Sequence, residues 1–171
     1  MDWSDVTRRV VIEAASPQPQ DVVVCFGGDF AVAAALAVGA SVFVRTDQII
    51  PPGLPENLLV SSGAVEPFAL PAGTSIVVVH DALRHLQPAA QRALILDIGR
   101  QLPPRALLIL GDVMWSLAVE RIDEPEQYGD DIAHAPTVAV VERLVREAGF
   151  LPDVHRFGVG RAVCIALRGN P

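Results

Sequence analysis

The feature that most constrains the fold is an uninterrupted apolar run near the amino end, VVVCF at 22–26. A strand with one wet face alternates apolar and polar residues, whereas a strand covered on both faces is apolar throughout. A glycine pair, Gly27 and Gly28, follows the run, and a helical pattern then continues to Gly39. This order predicts a strand inside a parallel sheet, with a tight turn that leads into a covering helix.

The same alternation of apolar runs and helical patterns continues along the 171 residues. Further strands are predicted at 41–45, 58–62, 75–80, 106–111, 154–157 and 162–167. Helices are predicted up to about Ala15, over 29–38, over 88–102 and over 137–149. The last two strands flank GVGR and predict a hairpin. The predicted fold class is therefore α/β, with a doubly wound, mostly parallel sheet of about seven strands that ends in an antiparallel hairpin.

The connection between the second and third strands, QIIPPGLPEN at 48–57, contains three prolines and a glycine, so it predicts no helix. A parallel crossover without its helix leaves apolar strand face uncovered, and such patches generally mark contact surfaces. We therefore expect a protein partner at this segment. The expected partner is a second copy of the chain, in a homodimer that buries Ile49, Ile50 and Leu54.

Composition narrows the class of protein. The apolar content of 51% in 171 residues suits one domain over 1–171. A net charge of -7 with scattered arginines excludes a basic stripe, so nucleic acid is not an expected partner. No apolar run approaches a membrane span, and the first residues lack the order of a secretion signal, so we expect a soluble, cytoplasmic protein without a membrane partner. Cys25 and Cys164 lie in apolar runs and are expected to be buried thiols.

Four segments together resemble the S-adenosylmethionine-dependent methyltransferases that have the Rossmann-like seven-strand sheet: VVVCFGGDF, ALPAGTSIVVVHDALRHL, LPPRALLILGD and LVREAGF. The resemblance covers nearly the whole chain. It implies that S-adenosylmethionine is the cofactor and that the chain transfers a methyl group to a small molecule. In the family, glycines after the first strand let backbone amides approach the cofactor, and Gly27, Gly28 and Asp29 occupy that place.

The resemblance assigns further cofactor contacts to the ends of the next strands. An acid after the second strand accepts both ribose hydroxyls in the family, and Asp47 is the candidate here. The remaining candidates follow the third and fourth strands: Gly63, Ala64 and Val65 at the place of the adenine, and His80 and Asp81 at the crevice.

The polar segment 112–136 predicts a mobile loop or lid. Its Trp115 and Tyr128, together with His80, are the candidate substrate contacts. No catalytic residue is assigned, because methyl transfer requires positioning and desolvation more than a particular acid or base. His80 and His85 are five residues apart rather than four, so no metal site is expected, and His85 is assigned a packing role.

The chain departs from the family pattern at four cofactor positions, Val24, Phe26, Phe30 and Ala64. Rings of Phe26 and Phe30 that point into the crevice would fill the space of the methionine moiety, whereas rings turned into the packing would leave the pocket open. The alternative function is therefore a non-catalytic scaffold or accessory subunit that has lost cofactor binding. A dinucleotide-binding fingerprint that lacks its first glycine also fits, but the closing hairpin favours the methyltransferase sheet.

Overall fold

A computed structural model of the chain describes residues 3–116, 132–158 and 160–170. The strands are β1 Val22–Phe26, β2 Ser41–Thr46, β3 Leu58–Ser62, β4 Thr74–His80, β5 Leu107–Val113, β6 Phe150–Phe157 and β7 Arg161–Arg168. The helices in these ranges are α1 Trp3–Ala15, α2 Phe30–Leu36, α3 Pro88–Gln101 and α4 Val138–Glu147, with a 3₁₀ turn at Leu83–His85. None of these helices combines the length and the apolar character that crossing a membrane requires.

The seven strands form one sheet in the order β3-β2-β1-β4-β5-β7-β6. The neighbours from β3 to β5 are parallel, and β7 runs antiparallel to both β5 and β6. The predicted doubly wound sheet with a closing hairpin is thus confirmed, as is the absence of a helix between β2 and β3. The strand order reverses between β1 and β4, which is where ligands bind in open α/β sheets.

The central strands are buried on both faces, as VVVCF predicted. Val24 and Phe26 of β1 pack in a core with α3 and α4, whereas Val23 and Cys25 pack in a second core with α1 and α2. Strands β4, β5 and β7 contribute side chains to both cores in the same alternating way. Helices thus pack against both faces of the sheet. This packing fixes the positions of the carboxyl ends of the strands and of the loops that follow them.

Two strand boundaries differ from the predictions by more than one residue. Strand β5 continues through Asp112 and Val113, which were expected to open a loop. Strand β6 begins at Phe150, four residues before the predicted start, and includes Pro152. Proline lacks a backbone donor, and β6 tolerates it because this strand lies at the edge of the sheet with a partner on one side only.

Cys25 and Cys164 are free, buried thiols, as expected. Burial raises the pKa of each thiol to about 12. Both side chains therefore stay protonated at neutral pH and act as small apolar groups in the two cores.

Helices α3 and α4 approach closely at Gly99, where a Cβ atom would overlap the carbonyl oxygen of Ala148. We expect Gly99→Ala to lower the free energy of unfolding by about 1–3 kcal/mol, because the added methyl overpacks this contact. Helix propensity alone predicts the opposite sign, a gain of about 1 kcal/mol. Urea unfolding measures the free energy of unfolding and so distinguishes these two expected effects of Gly99→Ala. A stabilised variant would contradict the prediction and would show that the helices can move apart at little energetic cost.

Candidate functional site

A cavity of about 770 Å³ opens at the carboxyl ends of β1, β2, β3 and β4. Small-molecule sites usually have volumes of roughly 300–1,000 Å³, so this cavity has room for a cofactor. Of the residues predicted to hold the cofactor, the following line it: Gly27, Gly28, Asp29, Asp47, Ala64, Val65 and Asp81. The loops after the four strands thus meet around one hollow at the topological switch point.

Two of the predicted cofactor residues lie next to the cavity without lining it. The ring of His80 is buried, with 2% of the residue exposed, and its carbonyl oxygen faces the glycine turn. Gly63 packs against the guanidinium group of Arg45, on the side of β2. Both residues support the cavity wall from behind.

The predicted substrate residues are not brought together in the described part of the chain. Trp115 is fully buried and packs in a small apolar cluster, which contains Val113, Ile132 and Ala135. The indole is therefore part of the core beyond the end of β5 and does not reach the cavity. Tyr128 lies outside the described residues.

The turn after β1 depends on the absence of a side chain at Gly27. Its φ is +113°, a conformation that L residues rarely adopt, and a Cβ atom would lie 2.6 Å from the carbonyl oxygen of His80. The neighbouring Gly28 is exposed, and a side chain there would overlap Gln48. Bare backbone therefore forms the floor of the cavity between the ends of β1 and β4.

The rings of Phe26 and Phe30 turn away from the cavity. Phe26 is 2% exposed and packs in the core under α3 and α4, with its ring edge-on to Phe68 at a centroid distance of 5.4 Å. Phe30 is half-buried against the other core, under α1 and α2. Neither ring belongs to the described residues that line the cavity, so the space beside the glycine turn is open.

Asp29 joins three elements at one edge of the cavity. Its Oδ1 accepts hydrogen bonds from the backbone amides of Ala31 and Val32 and so caps α2. Its Oδ2 accepts a hydrogen bond of 3.0 Å from Nε of Arg8 and lies 3.0 Å from Nδ1 of His80.

Partial burial raises the pKa of Asp29, but the contacts with His80 and Arg8 outweigh it and hold the pKa well below its usual range. The carboxylate is therefore charged at neutral pH. It is also committed to its partners, which excludes it as a general base for a bound substrate.

Asp81 is the second carboxylate at the cavity, and two arginines hold it. Its Oδ1 accepts hydrogen bonds of 2.5 Å from Nη1 of Arg84 and from Nη1 of Arg161. Burial raises the pKa of Asp81, but the charges of His80, Arg161 and Arg84 outweigh this and lower it. The residue has a φ of +49°, and the two charge-assisted bonds stabilise this left-handed conformation at the end of β4.

Asp112 lies behind this cluster and corrects the prediction that the chain enters a polar loop at 112. The side chain is fully buried in β5 and accepts hydrogen bonds from the backbone amides of Leu83 and Arg84 and from the Arg84 guanidinium. Burial raises the pKa of Asp112, against the lowering effect of Arg84. Asp112 thus fixes the 3₁₀ turn that follows β4.

Donor atoms of Asp29, His80 and Asp81 lie within 4.8 Å of one another, a spacing that a metal ion could bridge. The carboxylates are already bonded to Arg8, Arg84 and Arg161. Three guanidinium groups at this distance repel a divalent cation. The cluster is therefore better described as an ion-pair network than as a metal centre.

Sequence reasoning missed several residues that line the cavity, namely Arg8, Gln48 and Leu86, and assigned His85 a packing role although it is exposed at the cavity. His85 and Leu86 could have been predicted to line the cavity, because they follow the carboxyl end of β4 and ligands bind at the carboxyl ends of strands in such sheets. Arg8 has no local signal. It reaches the cavity only because α1 packs across β4, β5 and β7 beside α2.

Solved methyltransferase structures have the same fold as this chain. Human N-acetylserotonin methyltransferase, solved in complex with S-adenosylmethionine, matches 96% of the chain with a TM-score of 0.73 and 16% identity. The Burkholderia thailandensis 1,6-didemethyltoxoflavin-N1-methyltransferase, solved with bound 1,6-didemethyltoxoflavin and S-adenosylhomocysteine, matches 98% of the chain with a TM-score of 0.73 and 17% identity. A chain from the Haloferax volcanii complex that contains the Trm112 methyltransferase activator matches 96%, with a TM-score of 0.76 and 13% identity.

The match covers different shares of these proteins. The chain spans 52% of the human enzyme, about half its length, and 78% and 89% of the other two chains. No protein-family model and no curated protein matches the sequence. At these identities the likeness concerns the fold: the chain has the Rossmann-like fold of S-adenosylmethionine-dependent methyltransferases.

The lowered pKa of Asp29 predicts a pH dependence of stability. A carboxyl whose pKa is lower in the folded chain contributes stability above its unfolded pKa, near 4, and loses it as the pH falls toward the folded value. We expect Asp29→Asn to be less stable than the wild type at pH 7 and to lose less stability between pH 6 and pH 3. Asparagine can still cap α2, so the difference in stability between Asp29→Asn and the wild type reports the loss of the carboxylate charge. Urea midpoints measured across this range check the prediction.

The exposed Glu13 of α1 provides the control, because Glu13→Gln removes a carboxylate from the helix that carries Arg8 without changing the ion pairs of Asp29. This variant is expected to follow the wild-type pH profile. A profile of Asp29→Asn that also coincides with that of the wild type would mean that the contacts with Arg8 and His80 contribute nothing to stability.

Proposed function

We propose that the chain is an S-adenosylmethionine-dependent methyltransferase that acts on a small molecule. The open cavity at the carboxyl ends of β1 to β4 carries the proposal, because the two phenylalanine rings at the glycine turn pack into the cores and leave it free. The fold shared with solved methyltransferases supports the same assignment.

The residues around the cavity fit the parts of the cofactor. The bare backbone of Gly27 and Gly28 allows close approach of the methionine part. Asp47 is exposed at the cavity, and its carboxylate offers two acceptors for the ribose hydroxyls. Ala64 and Val65 form the wall after β3 and would cover the adenine with apolar surface and backbone groups.

The bound cofactor would supply a methyl group activated on a sulfonium. The chain itself would contribute position and exclusion of water, since the carboxylates of Asp29 and Asp81 are held by arginines and do not act as bases. His85 and Leu86 line the cavity and join Tyr128 as our candidates for contact with the methyl acceptor.

The alternative is a scaffold or accessory subunit that does not bind the cofactor. Val24 lies in the core at the place where the family has an acid, and Ala64 replaces a second acid at the cavity. A neighbour in fold comes from a complex that contains a methyltransferase activator, so a role beside another protein is compatible with the fold.

Ligand binding separates the two functions. We expect S-adenosylhomocysteine to stabilise the wild type by about 2.7 kcal/mol at a hundredfold excess over its dissociation constant. Asp47→Ala should weaken binding by about 10- to 100-fold, because it removes hydrogen bonds to a charged acceptor worth about 1.5–3 kcal/mol. Thermal-shift and calorimetric titrations measure both effects.

Glu56→Ala is the matched control, since Glu56 is exposed in the 48–57 segment, which directly follows Asp47, but does not line the cavity. Its affinity should equal that of the wild type. No shift of the wild type at millimolar ligand would favour the scaffold, and an unchanged affinity of Asp47→Ala would remove the ribose assignment.

We further propose a homodimer through the 48–57 segment and the adjoining edge strand. Ile49 is 94% exposed, Ile50 is 44% exposed, and Leu59 of edge strand β3 is 54% exposed. These side chains belong to β3 and to the segment that leads into it, where no helix covers the sheet. Leu54, which was expected in the same interface, packs against the core of its own chain.

Replacing Ile49 by aspartate is expected to dissociate this dimer, because it places a charge in an apolar contact. Sedimentation equilibrium at tens of micromolar should show a dimer for the wild type and a monomer for Ile49→Asp. Leu151→Asp is the control, since Leu151 is 68% exposed on β6, at the opposite edge of the sheet from the proposed interface. A monomeric wild type at this concentration contradicts the proposal.

A further inference from the structure

Arg45, near the end of β2, makes several contacts with the last residues of β3 and with the segment that follows them. Its Nε donates a hydrogen bond of 3.2 Å to the carbonyl oxygen of Ala64. Its Nη1 donates to Oγ of Ser61 at 2.9 Å and to the carbonyl oxygen of Ser62 at 3.1 Å. Its Nη2 lies 3.8 Å from a carboxylate oxygen of Glu66. One guanidinium group thus contacts four residues of a six-residue stretch.

The Arg45 guanidinium also contacts an aromatic ring. It lies over the ring of Phe68 at 5.5 Å from the centroid, and the ring of Phe68 in turn packs edge-on against Phe26. A Cβ atom at Gly63 would overlap the guanidinium, so the backbone there closes directly onto it. The Arg45 side chain is only 17% exposed, which strengthens each of these charge-assisted contacts.

The backbone of Arg45 is hydrogen-bonded to the glycine turn, which forms the opposite wall of the cavity. Its carbonyl oxygen accepts a hydrogen bond of 3.1 Å from the amide of Gly27, and the next carbonyl, of Thr46, accepts one of 2.8 Å from the amide of Gly63. One short stretch of β2 therefore joins the glycine turn after β1 to the turn after β3. Both turns line the cavity, through Gly27 and through Ala64 and Val65.

We propose that Arg45 is a positioning residue of the cavity, whose planar guanidinium holds the Ala64-Val65 wall in the shape that receives a ligand. The stretch 63–73 contains neither helix nor strand, so its conformation depends on contacts of this kind. Lysine cannot replace the guanidinium, because a single ammonium group cannot reach three acceptors in fixed directions. The part of the inference that concerns affinity rests on the proposed function.

The first test uses the ligand-free chain, so it does not depend on the proposed function. Amide hydrogen exchange is measured on the wild type, Arg45→Lys, Arg45→Ala and the control Arg92→Ala, which removes a 59% exposed arginine from α3. Exchange of the Gly63 amide, which donates a hydrogen bond to the carbonyl oxygen of Thr46, should become at least about tenfold faster in both Arg45 variants, while the central strands stay protected. Unchanged exchange of the Gly63 amide, or equally increased exchange throughout the sheet, overturns the inference.

The second test measures binding of S-adenosylhomocysteine and of adenosine by calorimetry. Both Arg45 variants should lose about 10- to 100-fold in affinity, by the same factor for the two ligands, because the wall faces the part they share. Arg92→Ala should bind as the wild type does. A faster-exchanging variant that retains wild-type affinity overturns the inference. A wild type that binds neither ligand defeats the proposed function, and the exchange data then decide alone whether Arg45 holds the wall.

Discussion

The structure depends on a partly buried network of opposite charges at the carboxyl edge of the sheet, with Asp112 fully buried at its centre. Asp29, Asp81 and Asp112 come from three different places in the chain, and guanidinium groups from α1, the 3₁₀ turn and β7 reach them. A buried carboxylate alone would cost several kcal/mol, so each charge requires its partner to be present. The network therefore forms as a unit, and it ties the ends of β4, β5 and β7 to α1 and α2.

This network explains why the cavity is a fixed feature. Two of the carboxylates that line the cavity, those of Asp29 and Asp81, are already paired inside the protein, which keeps the loops in place before any ligand arrives. Because arginines pair with the carboxylates of Asp29 and Asp81, these two groups are not available as acids or bases in the cavity. A site of this kind suits a reaction in which geometry, rather than proton transfer, limits the rate.

Much of the fold could be predicted from the apolar patterns. The runs VVVCF and LLVSS define β1 and β3 to the residue, because short apolar runs between turn-forming residues leave little freedom in where a strand begins and ends. The boundary of β5 was missed because Asp112 is polar, and only the tertiary partners of its carboxylate make its burial possible. Arg8 and Arg45 were missed for the same reason, since their roles arise from elements distant in sequence.

The orientation of Phe26 could have been predicted from the sequence. Side chains alternate along a strand, so Phe26 shares a face with Val24 and must enter the core beneath α3 and α4. That rule alone turns the ring away from the crevice. For Phe30 no such rule applies, because the direction of the first residue of α2 depends on how Asp29 caps the helix.

Pro152 has a consequence for how copies of the chain can assemble. A sheet with two open edges can add neighbours on both sides and grow into a fibre. At the β6 edge the proline offers no amide, and the polar residues Asp153, His155 and Arg156 follow it in the same strand. If two chains meet through β3, the proline-bearing strand at each far end blocks further growth, and the assembly closes at two.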